Sequence, residues 1–103
     1  MTSSVSKDIL KTQREKIDRL DDQIIDLLAE RLDIVREVAQ LKIQNTIPAV
    51  LPERIEEVLG RCAQRAGEKN LDPEFVRAFY SALIDHCCEL EEVLIQEQTK
   101  KAS

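Results

Sequence analysis

KDILKTQREKIDRLDDQIIDLLAERLDIVREVAQLKIQ, residues 7–44, decides the fold. It holds neither glycine nor proline, and its apolar residues recur with helical rather than alternating period. Leu10, Ile17, Ile24 and Val38 lie on one sevenfold series, interrupted by Arg31. Leu20, Leu27, Ile34 and Leu41 form the companion series, and together the two make a coiled-coil-like seam. A helix of about 37 residues is roughly 55 Å long, whereas a compact domain of this size has a radius of gyration of only about 13 Å. The pattern therefore predicts a helix that overhangs its own fold, with an apolar stripe that only another chain can cover. A homodimer is the simplest expectation.

Outward from this segment, Pro48 and Pro52 bracket a short connection, and Pro52 suits the first turn of a second helix, where its missing N–H costs nothing. Ile55, Val58, Leu59, Cys62 and Ala63 carry that helix to about Ala66, with Gly67 placed as its C-terminal cap. Asp72, Pro73 and Glu74 read as N-cap, first helical position and acidic first turn. Phe75, Val76, Phe79, Leu83, Leu90 and Leu94 then extend a third helix to about residue 97, and the polar tail of residues 98–103 is expected to fray. The expectation is a single all-α domain over residues 1–103, with a core of about 8–97: a three-helix protomer with one long N-terminal helix.

Composition excludes several functions. The chain of 103 residues is 43% hydrophobic and 34% charged, with two glycines and three prolines, too little punctuation for sheets or a phosphate-binding loop. A net charge of −5 has the wrong sign for general nucleic-acid or anionic-membrane binding, so any anionic ligand must be met by local cations. Cys62, Cys87 and Cys88 are odd in number and lack metal-ligand spacing, which predicts buried inert thiols in a reducing cytoplasm. No apolar run approaches a membrane span, and Met1 to Ser6 form no signal-peptide core. His86, the only histidine, has no nucleophile or ligand partner at useful spacing and reads as structural or surface.

Arg31 stands in an apolar series, and Arg14, Asp21, Leu28, Val35 and Lys42 form a neighbouring one with a cation at each end. One reading makes Arg31 a snorkelling or paired residue on an assembly surface. The other is an anion site between helices. Arg14 and Lys42 are about 42 Å apart along one helix, so a shared small ligand requires two chains. Antiparallel pairing with its two-fold axis near Ile24 and Ile25 brings Arg14 of one chain between Arg31 and Lys42 of the other.

Arg14-Glu15-Lys16-Ile17-Asp18, Leu20-Asp21-Asp22, Leu27-Leu28-Ala29-Glu30-Arg31, Lys42, Pro52-Glu53-Arg54 and Leu71-Asp72 form a set of motifs spread over most of the chain. In these the chain resembles the all-helical chorismate mutases and their relatives, the isochorismate pyruvate lyases and 4-amino-4-deoxychorismate mutases. The resemblance implies an intertwined three-helix homodimer (the chorismate mutase type II fold). By resemblance, Arg14 of the partner chain and Arg31 hold the two substrate carboxylates. Arg54 assists, and Lys42 reaches a carboxylate and the ether oxygen. The fork of arginine suits carboxylates, and the compact charge of lysine suits charge developing on a breaking C–O bond.

The implied reaction is the pericyclic conversion of chorismate to prephenate, which takes no metal or cofactor. Glu91 matches the position of a family glutamine that donates to the ether oxygen, and it must be protonated to donate. This predicts activity that falls with rising pH, and a Glu91→Gln variant in which the fall is flattened. Two departures bear on the substrate. Acids that bind the ring hydroxyl in chorismate enzymes are replaced by Leu51 and Ile55, as they are lost in isochorismate pyruvate lyases. Those lyases keep the glutamine, however, and an acid at position 91 also suits a substrate bearing an amino group. A helical dimer without activity that regulates a shikimate-pathway enzyme is the alternative of another class, against which the retention of all four cations counts.

Overall fold

The computed structural model describes the backbone of residues 2–102 and the side chains of residues 9–101. Three helices follow in order: α1 (Thr2–Asn45), α2 (Pro52–Glu68) and α3 (Pro73–Ala102). The chain divides into two compact units, Met1–Asp33 and Ile34–Ser103.

The first unit lies on α1 and is covered with apolar side chains that remain in solvent. Ile9, Ile17, Leu20, Ile24, Ile25 and Leu27 are all exposed, Ile25 and Leu27 by 62% each. Leu28, Arg31 and Leu32 are half-buried. The seam inferred from the sevenfold spacing is thus present as a helical stripe.

The second unit holds the core. Helices α2 and α3 pack against each other, and Val58, Leu59, Cys62 and Ile84 form a buried cluster backed by Ile55, Val76, Tyr80 and Cys88. Fully burying one such aliphatic side chain contributes about 1.5–3 kcal/mol, which makes this cluster the main source of cohesion between the two helices. The Arg77–Glu56 bridge at 2.8 Å ties α3 to α2 at the surface, where such a pair adds at most about 1 kcal/mol.

Helix ends differ from the sequence expectation in a consistent direction. Helix α1 begins at Thr2 rather than Lys7, because nothing between them breaks a helix. Helix α2 runs through Gly67 to Glu68, and the left-handed residue that ends it is Asn70, φ 60°. Leu71 N–H then donates to Ala66 C=O at 2.8 Å and Asn70 N–H to Gly67 C=O at 3.3 Å, a Schellman pair in which asparagine takes the place usual for glycine. Helix α3 continues past residue 97 to Ala102. There Thr99 Oγ1 donates to Ile95 C=O at 3.0 Å, and Lys100 and Lys101 oppose the negative end of the helix dipole. Ser103, the end of the tail expected to fray, lies outside the described residues. The start of α3 is as expected, with Asp72 Oδ1 accepting from Glu74 N–H at 3.0 Å.

No helix among the described residues is long and apolar enough to cross a membrane.

Candidate active site

The site grows from the end of α1. Thr46 adopts φ 56°, a left-handed conformation that a β-branched residue rarely takes, and closes the helix with its N–H on Ile43 C=O (3.4 Å). Ile47 N–H reaches back to Lys42 C=O at 2.9 Å. The chain therefore turns sharply, Pro48 stiffens the return, and Ala49 C=O arrives beside the side chain of Lys42.

Lys42 Nζ donates to Ala49 C=O at 2.7 Å. The same Nζ lies 2.7 Å from Glu91 Oε1, offered by α3. Both residues are buried, Lys42 with 9% and Glu91 with 6% of its surface exposed. The two meet as opposite charges, and Oε1 takes no hydrogen bond from any other group among the described residues. An ammonium has three N–H donors, so Lys42 retains donor capacity beyond the Ala49 bond. A pocket of about 370 Å³ opens at Lys42, walled by Thr46, Ile47, Pro48, Ile95 and Thr99.

Cys88 lies one turn before Glu91 on α3. Burial pushes its thiol above the ordinary value of 9.0, the Glu91 carboxylate adds to the rise, and Lys42 opposes it. This half-buried thiol thus senses both charges of the pair. Cys62 and Cys87 are buried free thiols, and His86 is exposed.

Of the five residues singled out from the sequence, the structure joins Lys42 and Glu91. Arg54 stands apart on the exposed first turn of α2, paired with Glu57, beside a cavity of about 610 Å³ formed with Leu51, Pro52 and Glu53. Arg14 and Arg31 belong to the first unit, Arg14 exposed and Arg31 half-buried. Sequence reasoning missed Ala49, which acts through its backbone. The Pro48 and Pro52 bracket was the available signal, since it forces a compact return of the chain.

Comparison with known proteins identifies the family. The family model described as chorismate mutase type II matches residues 13–92. A 4-amino-4-deoxychorismate mutase from Streptomyces pristinaespiralis is 30% identical over 86% of this chain and 69% of its own length. A chorismate mutase from Methanocaldococcus jannaschii is 33% identical over 85% and 89%, respectively. An isochorismate pyruvate lyase from Pseudomonas aeruginosa is 35% identical over 87% of each. The matched span contains all of Arg14, Arg31, Lys42, Arg54 and Glu91 together with the turn that holds Lys42, and the chain belongs to the chorismate mutase type II family.

Proposed function

We propose that the protein is a chorismate mutase that rearranges chorismate to prephenate. One observation carries the reading: a buried ammonium, Lys42 Nζ, held from two sides by Ala49 C=O and Glu91 and still able to donate. In the rearrangement the ether C–O bond breaks as a C–C bond forms, and negative charge gathers on the ether oxygen. A preorganised cation in a water-poor site stabilises that charge without reorganising. The reaction is unimolecular, so the remaining task is to hold a flexible dianion in a reactive chair.

Arg31 and Arg54 serve the carboxylates in this reading, and a second copy supplies Arg14. The exposed stripe of Ile17, Leu20, Ile24 and Leu27 supports the dimer, because such a surface in water calls for a partner. Glu91 serves the ether oxygen only where it carries a proton, a state in which it no longer pairs with Lys42 as an anion.

A second reading, 4-amino-4-deoxychorismate mutase, is favoured by Glu91 itself, a buried acid in place of a neutral amide, whose negative charge suits an ammonium on the substrate ring. The relative from Streptomyces pristinaespiralis with that name supports it too.

The test is to supply chorismate, isochorismate and 4-amino-4-deoxychorismate separately and identify products. Prephenate as the fastest product supports the first reading and the amino analogue the second. Salicylate with pyruvate makes the protein a lyase, and no turnover of any substrate leaves a regulatory dimer. Glu91→Gln separates the two mutase readings further. It keeps or raises activity on chorismate if Glu91 donates, and it abolishes preference for the amino substrate if Glu91 accepts.

A further inference from the structure

Away from Lys42 and Glu91, where α2 ends and α3 begins, a second cavity of about 270 Å³ has Cys62, Ala66, Leu71, Val76 and Tyr80 as its apolar lining. Ala66 and Cys62 are buried and Val76 and Tyr80 half-buried, so its floor is the outer side of the α2–α3 core. Arg61, Arg65 and Lys69 stand along its rim. Arg61 and Arg65 are spaced by four and share one stripe of α2, and Lys69, the residue that caps its end, follows at the same spacing. Between residues 60 and 71 the only acid is Glu68, in a chain whose net charge is −5.

Cations in the last turn of a helix are expected from the dipole alone, and this accounts for Arg65 and Lys69. It does not account for Arg61, nearly two turns before the end of α2. Glu68 is engaged by Arg65 at 3.2 Å. Among the described residues, the side chains of Arg61 and Lys69 have no acidic partner.

We propose that this cavity is a second ligand site, distinct from the Lys42–Glu91 site, and that it takes a small aryl carboxylate. An apolar cavity of about 150 Å³ suffices for benzene, so 270 Å³ accommodates one ring and a short arm. The ring lies on Ala66, Val76 and Tyr80. The arm brings the carboxylate to Arg61 and Lys69, where a guanidinium offers a fork and an ammonium a point charge. An apolar floor with a few convergent charged groups at its mouth is the usual make-up of a small-molecule site. The inference does not depend on which reaction the other site performs.

The sequence supplies its own probe. Tyr80 is the only tyrosine and there is no tryptophan, so tyrosine emission reports from this cavity alone. Titration of the full-length protein with 3-phenylpropanoate produces a saturable change in that emission. Arg61→Gln combined with Lys69→Gln, both on the exposed surface and safe for folding, weakens binding about tenfold or more. Lys42→Ala binds within about twofold of the parent, since the carboxylate is read elsewhere.

Uncharged 3-phenylpropanamide binds far more weakly, and inorganic phosphate produces no comparable change. Four results overturn the proposal: no saturable change; amide or phosphate matching the carboxylate; the double variant binding like the parent; or Lys42→Ala losing the response while its helical circular dichroism matches the parent's. The last would assign the ligand to the other site.

Discussion

The two units of this chain invert the ordinary rule of protein interiors in opposite ways. Among the described side chains of Met1–Asp33, aliphatic groups stand in water and none is buried; in Ile34–Ser103, Ile34, Leu41 and Phe75 are exposed as well, but an ammonium and a carboxylate are buried. Exposed apolar surface is a loss of hydrophobic stabilisation, about 25 cal/mol for each Å², and buried charge is a desolvation cost of several kcal/mol per ion. In the function proposed above, a second copy of the chain covers the stripe and the buried pair faces the substrate.

The largest effect tests the first half of that contrast. Leu27→Asp puts a charge in the middle of the stripe and is expected to halve the mass measured by analytical ultracentrifugation or to unfold the chain, with activity lost in either case. A parent protein that is already a stable, active monomer breaks the comparison. Mixing sharpens it: Arg14→Ala and Lys42→Ala proteins, each inactive, refolded together at equal concentration, recover about a quarter of the parent rate. Half of the dimers are then mixed, and each mixed dimer has one intact site of two. No recovery from dimers shown to be mixed places all essential groups in one chain.

The second half is tested by stability. Lys42→Met or Glu91→Leu alone leaves a buried charge unpaired and is expected to cost about 3–5 kcal/mol in urea unfolding, while the double variant costs much less. Additive losses would show that the two charges do not depend on each other.

The pH test is smaller. The Cys88 thiol is raised above 9.0 by burial first and by Glu91 second. Below 9.0 both folded and unfolded chains hold the proton, so the contribution to stability is complete there. As pH climbs past 9.0 the unfolded chain releases it before the folded one does, and stability falls up to the raised folded value. Unfolding melts at stepped alkaline pH should show a shallower decline in Cys88→Ser. Alkylation of Cys88 should begin at lower pH in Glu91→Gln and at higher pH in Lys42→Met, with Cys88→Ser marking the signal.

The smallest effect concerns the two glycines of α2. A Cβ at Gly60 or Gly67 would meet nothing within 4 Å, and neither has a positive φ. Each alanine substitution is therefore expected to stabilise by about 0.5–1 kcal/mol in thermal melts. Destabilisation by Gly67→Ala would restore that glycine to the role of helix stop.

Local signals were legible in the amino-acid order. The sevenfold spacing, Pro52 at a first turn and Asp72 before Pro73 mark all three helices, because periodicity and capping depend on residues within one or two turns. The same order marked Lys42 and Glu91 through resemblance, and the apolar stripe through its length. It misplaced the end of α2, since Gly67 and Asn70 are both able to stop a helix and the choice rests on where the chain must next go. Only the tertiary structure brought Lys42 against Glu91, turned Ala49 C=O onto the ammonium through a left-handed Thr46, and hollowed the cavity beneath Arg61 and Lys69. The first depends on contact between helices far apart in the chain, and the other two on the paths of the turns after Asn45 and Glu68, which periodicity and capping signals leave open.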